Sequence, residues 1–156
     1  MYRNQNTKQM KTKDLLAKYD KVIKDVTKKV KHVNRGGCGI FALELGNVLK
    51  QNKIKFKYVM LFRHIASEDK DYFKALMENN MVSDFNSEAS WTHIVVKVGK
   101  KYIDGEEMLD KPKHKGITTS EEFLKNMVKQ KSYWNPTFNR TQKPTIKKIL
   151  EKHLVD

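Results

Sequence analysis

The sequence predicts a single α+β domain, and three observations carry that expectation. Stretches beginning near Thr12 and Pro144 repeat apolar residues at helical spacing, whereas Ile54–Arg63 and Trp91–Val98 alternate or run apolar in the manner of strands. Between the two kinds of pattern, Asn34-Arg35-Gly36-Gly37-Cys38-Gly39 reads as a glycine-rich loop turning into a helix. At 156 residues the chain is long enough to bury a core without disulfides or metal. It shows no internal repeat and no second linker, so residues 1–11 are expected to be a frayed start and residues 12–156 one domain.

The first helix follows from Leu15, Leu16, Tyr19, Val22, Ile23, Val26 and Val30, with a cap expected near Thr12. Lys18, Lys21, Lys24 and Lys28 lie between them, as on an ordinary solvated face. A second helix is expected from about Cys38, with Cys38, Ala42, Leu45 and Leu49 on one face and Gln51-Asn52-Lys53 as its end. The sulfur then begins a buried stripe rather than pointing into solvent. Ile54, Phe56, Tyr58, Met60 and Phe62 form one face of a long, half-buried strand. Ser67 is expected to cap a helix through Tyr72, Phe73, Leu76 and Met77, stopped by Asn79-Asn80 before a polar loop over 81–90.

Gly99-Lys100 suits a two-residue hairpin turn with glycine first, making Val98 and Lys101 the closing pair. Counting back from that pair sets Asp104 opposite Val95. Asp104 therefore shares a sheet face with His93 and lies diagonal to it, about 7–8 Å away between backbone positions. Glu106 would face His93 directly and is the reserve acid. Residues 110–116 read as a basic loop, and Thr119 with Glu122 as a capping box for a helix through Phe123, Leu124, Met127 and Val128. Lys131–Lys143 reads as irregular, and a last helix buries Ile146, Ile149, Leu150 and Leu154.

Composition narrows the function. One cysteine excludes an intrachain disulfide, and no apolar run has the length of a membrane span or follows a basic leader, so a reduced, cytoplasmic protein that does not engage a membrane is expected. The net charge of +14 comes from 28 lysines and only four arginines. Lysines neutralise phosphate but lack the planar fork that reads base edges, so any nucleic-acid binding should be non-specific; an acidic protein partner is also compatible.

The lone cysteine is the chemical clue. Peptide N–H groups at a helix start and the helix dipole favour a thiolate there, and a strand histidine beside an acid supplies the remaining parts of a nucleophilic site. Cys38 is the candidate nucleophile, His93 the base and Asp104 the group that fixes its tautomer. No cofactor is needed for that chemistry, and no close His/Cys pair suggests a metal. His32, His64, His114 and His153 look incidental. Trp91, next but one to His93, is a candidate for lining a substrate groove.

Residues 34–106, with Gly-Gly-Cys-Gly, the His93 strand and Asp104 in that order, resemble the papain-like superfamily of cysteine hydrolases, nearest its transglutaminase-like and Cys-His-Asp branches. The resemblance implies a central helix headed by Cys38 and packed on a small antiparallel sheet that supplies His93 and Asp104. It implies a cysteine hydrolase or acyl transferase acting on a peptide or amide substrate. The glutamine found a few residues before the cysteine in papain is missing here. Asn34, four residues upstream, and the Cys38 backbone N–H are the candidate oxyanion donors. Two rival readings are a catalytically silent binding module of the same fold and a basic nucleic-acid-associated protein whose cysteine is structural.

Overall fold

The computed structural model describes residues 10–34, 37–63, 65–89, 92–130 and 142–155. Among the described residues the chain is α+β: six helices stand with a five-stranded, wholly antiparallel sheet of order β4-β3-β2-β1-β5. The helices are α1 (Thr12–Lys29), α2 (Cys38–Gln51), α3 (Lys70–Glu78), α4 (Val82–Glu88), α5 (Glu121–Lys129) and α6 (Lys143–Leu154). The strands are β1 (Lys57–Phe62), β2 (Thr92–Val98), β3 (Lys101–Ile103), β4 (Met108–Leu109) and β5 (Lys115–Thr119).

Helix α2 is the centre of the molecule. Its sequence is apolar almost all round, as a helix covered on several sides must be, and Ile40, Phe41, Ala42, Leu45, Val48 and Leu49 are all buried. It packs on β2, α5 and α6, while α1 lies against α6. Leu15, Tyr19, Val22 and Val26 give α1 its buried stripe, and His153 Nε2 bonds Asp25 Oδ2 at 2.6 Å to fasten α6 to it. The face of the sheet toward these helices carries Tyr58, Met60, Phe62, Ile94, Val96, Val98 and Ile103, all within the main core. Val59, Leu61 and Val95 alternate with them and form a second small cluster on the opposite face, with Tyr102 against it.

Met10 and Lys11, just before α1, are part of the fold. Met10 is buried, and its backbone N–H donates to Asn52 Oδ1 at 2.8 Å. Asn52 Nδ2 donates in turn to Leu154 O at 2.7 Å, so one buried amide joins the chain entry, the end of α2 and the end of α6. The expected cap near Thr12 is absent, since the N-cap position falls on Lys11 without a side-chain bond. Residues 1–9, and the Trp134–Phe138 part of the stretch expected to be irregular, lie outside the described residues.

Several boundaries differ from the sequence expectation for physical reasons. The first strand is shorter, beginning at Lys57, and it is buried on both faces rather than one, with Tyr58, Met60 and Phe62 in the main core and Val59 and Leu61 in the second cluster. The polar stretch expected to be a loop contains α4, whose composition hides two anchors, Val82 and Phe85. Phe85 is fully buried among Phe62, Phe73 and Phe123, with ring centroids 5.9, 5.8 and 5.1 Å away. The basic loop ends in a strand: Lys115–Thr119 pairs with β1, running from Phe62↔Lys115 to Tyr58↔Thr119. Its lysine and glycine mask the β-branched Ile117, Thr118 and Thr119. Thr119 is therefore the last strand residue rather than a cap; Ser120 caps α5, accepting the Phe123 N–H at 3.1 Å. A one-turn 3-10 helix, Ser67–Asp69, precedes α3.

Candidate active site

The hairpin brings two of the three candidate groups together. Val98 pairs with Lys101, Lys97 with Tyr102 and Val96 with Ile103, so the turn is the two-residue Gly99-Lys100. Gly99 has φ +59°, a region that glycine enters without steric cost and that a turn with glycine first requires. The parity set by this turn leaves Asp104 on the face of His93. His93 Nε2 and Asp104 Oδ2 lie 2.8 Å apart, with the side chains only 12% and 5% exposed.

Asp104 divides its two oxygens between fold and site. Oδ1 accepts the backbone N–H groups of Glu106 at 2.8 Å and Glu107 at 2.9 Å, closing an Asx-type turn after β3. Oδ2 accepts from His93 and, at 3.2 Å, from Asn34 Nδ2. The backbone N–H of Asp104 donates to Glu107 O at 3.0 Å. Burial works to raise the carboxyl pKa, and the hydrogen bonds from His93, Glu106 and Glu107 together outweigh it, leaving the group below the usual carboxylate range. The turn also decides the fate of the reserve acid. Pairing of β3 stops at Ile103, so Glu106 does not face His93; its Oε2 instead accepts the Asn34 backbone N–H at 3.1 Å.

Helix α1 supports the acid from below, a role its apolar spacing conceals. Tyr19 is fully buried and its hydroxyl donates to Asp104 O at 2.7 Å. Burial, and then the Asp104 charge, hold this phenol well above its ordinary pKa, so it stays a donor. A tyrosine in an otherwise aliphatic stripe is the available sequence signal, because a buried hydroxyl needs a partner. Gly105 fits the turn against the same layer: a Cβ there would stand 2.7 Å from Val33 Cγ1 and 3.3 Å from Phe41 and Val26.

Cys38 completes the cluster. It heads α2, where the N-cap Gly37 offers no side-chain cap and the positive end of the helix dipole falls. The residue is 6% exposed and its sulfur is hydrogen-bonded to the His93 imidazole. Since Nε2 is held by Asp104, the nitrogen left for the sulfur is Nδ1. The His93 pKa is pushed up to about 10: burial, the largest single influence, would lower it, but hydrogen bonds to Asp104 and Cys38 and their negative charges together prevail. The favoured state of His93 is an imidazolium, placed between the Asp104 carboxylate and the Cys38 sulfur.

Asn34, the other oxyanion candidate, is placed at the acid, with Nδ2 on Asp104. That contact fixes the orientation of its amide, and Asn34 Oδ1 is buried without a hydrogen-bond partner. Trp91 lies outside the described residues, as do Arg35 and Gly36 of the glycine-rich loop and His64. His114, expected to be incidental, lines a cleft of about 290 Å³ together with His93 and Asp104. His32 takes φ +58° in the turn after α1. Among the described residues no three His, Cys, Asp or Glu side chains are placed to hold a metal ion, and no helix is long and apolar enough to cross a membrane.

Known proteins add no identity to this geometry: no family model matches the chain, and neither a curated protein nor a solved structure matches it with significance.

Proposed function

We propose that this protein is a cysteine hydrolase or acyl transferase of papain-like arrangement that acts on a peptide or amide substrate through Cys38, His93 and Asp104. The observation that supports the reading most is the position of His93, hydrogen-bonded to the only cysteine on one side and at 2.8 Å to a buried carboxylate on the other. A structural cysteine needs no ionisable neighbour, and burial alone would drive the imidazole neutral.

In this reading the Cys38 thiolate attacks the substrate carbonyl carbon, forming a C–S bond while the carbonyl electron pair moves to oxygen. First-turn peptide N–H groups of α2, the Cys38 N–H among them, stabilise that oxyanion. The pair returns, the C–N bond breaks, and the amine departs with the proton from His93 Nδ1, leaving a thioester. An acceptor then gives a proton to His93 and attacks the thioester, and the C–S bond breaks to restore the thiolate. Water as acceptor gives hydrolysis, or deamidation of a side-chain amide; an amine gives transamidation. Asp104 holds the imidazole by Nε2 so that Nδ1 faces sulfur throughout.

The reading is tested with a short peptide acyloxymethyl ketone and mass spectrometry of the intact protein. The expected result is a single adduct on Cys38 that forms at least about a hundredfold more slowly in His93→Ala. Equal labelling of wild type and His93→Ala would falsify the assignment of His93.

A further inference from the structure

The cleft beside His93 has a chemical character that selects its occupant. Leu61, Val95, Tyr102, Leu109 and Pro112 make it apolar, and His93 and Asp104 form one wall. Cys38 does not line it. Lys113 and His114 belong to this cleft and also to a neighbouring hollow of about 520 Å³, which Arg63 and Lys115 line as well. Among the described residues no acid lines that second hollow. Among the described residues Glu107 is the one acid besides Asp104 in the cleft, and it is occupied by Lys113 Nζ at 2.9 Å. The two depressions therefore form a groove that is apolar next to the imidazole and cationic further out.

The imidazole side of the sulfur is where the departing amine must lie, since His93 gives it the proton. A cleft that His93 lines and Cys38 does not is placed for the leaving-group part of the substrate. We propose that this groove binds the amine-side segment of a peptide substrate, taking a large apolar side chain against Leu61, Val95 and Tyr102 and acidic groups beyond it against Arg63 and Lys115. The assignment rests on the hydrolase reading for its direction and on the groove alone for its chemistry. Removing an apolar side chain from water in the cleft supplies the affinity. The cations add selectivity and encounter rate more than affinity.

The test is binding, which needs no turnover. The free tripeptides Leu-Glu-Glu, Gly-Glu-Glu and Leu-Lys-Lys are titrated into the full-length protein and into Cys38→Ser, with NMR shifts of Tyr102 and His93 as the readout. Leu-Glu-Glu is expected to bind about tenfold or more tighter than either of the others. Lys115→Glu should weaken it severalfold, while Lys147→Glu, the same charge change on α6, should not. Equal affinity of Leu-Glu-Glu and Gly-Glu-Glu, or equal losses in the two lysine variants, would show mere attraction to a cationic protein and overturn the groove. Selective binding without any labelling of Cys38 would keep the groove and remove the hydrolase reading; labelling without selective binding would do the reverse.

Discussion

His93 Nε2 and Asp104 Oδ2 stand 2.8 Å apart across a hairpin whose closing pair is Val98 and Lys101. The contact depends on turn length, because one added residue would carry Asp104 to the opposite face of the sheet. It is also held from three other directions: the Glu106 and Glu107 N–H groups on Oδ1, Asn34 Nδ2 on Oδ2, and the Tyr19 hydroxyl on the backbone carbonyl. The acid is thus a member of the fold as well as of the site, and the two roles can be separated by substitution.

Asp104→Ala should destabilise the protein by about 2–4 kcal/mol, because it strips the turn of its acceptor and leaves buried donors unpaired. Asp104→Asn keeps an oxygen for the turn but faces an amide donor toward the imidazole, so it should remain folded and lose about a thousandfold or more in activity. Chemical denaturation and labelling kinetics on both variants check this. Equal stability of the two would contradict the structural role given to Oδ1.

Gly105→Ala should impair the site without touching any reacting group. Its new methyl meets Val33 Cγ1 at 2.7 Å in the packed layer between α1 and α2, and relief by backbone shift should cost about 1–3 kcal/mol. A thermal melt indistinguishable from wild type would show that the turn has room to spare.

Stability should fall at both pH extremes, for opposite reasons. The His93 pKa is raised in the folded protein to about 10, so its contribution is complete below the unfolded value near 6.5 and disappears as pH rises through about 10. The Asp104 pKa is lowered, so its contribution is present above the ordinary carboxylate value and disappears as pH falls through the folded one. Denaturant titrations of wild type and His93→Ala across pH check the alkaline limb, which should be absent in the variant.

Nucleic-acid binding, if measured at low salt, should be insensitive to sequence and fade steeply toward physiological salt, as expected for 28 lysines and four arginines. Competition between unrelated duplexes decides it. A preference of about a hundredfold for one sequence at physiological salt would favour the nucleic-acid rival.

The sequence carried the helical cores and the site hairpin clearly because both rest on local periodicity. The two-residue turn and the alternation through β2 sufficed to align His93 with Asp104, and the glycines before Cys38 marked where α2 starts. What stayed hidden was set by distant partners. Phe85 looks like an isolated aromatic in a polar stretch until the rings of Phe62, Phe73 and Phe123 surround it. Lys115–Thr119 becomes a strand because β1 offers it an open edge. Tyr19 reads as one more core residue, since nothing local says that its hydroxyl reaches a carbonyl 85 residues away. Glu106 was misplaced by extending a ladder past the point where Asp104 itself turns the chain.

The central claim is that Cys38 and His93 form a thiolate–imidazolium pair at neutral pH, and the alkylation rate of Cys38 by iodoacetamide as a function of pH tests it most directly. Because a nearby thiolate helps raise the His93 pKa, the imidazolium must favour the thiolate by the same coupling. The account predicts rapid alkylation that persists below neutral pH, with an inflection well under that of an ordinary thiol, shifted upward and slowed in His93→Ala. A profile that rises only around the ordinary thiol pKa of about 8.5 and is unchanged in His93→Ala would contradict it.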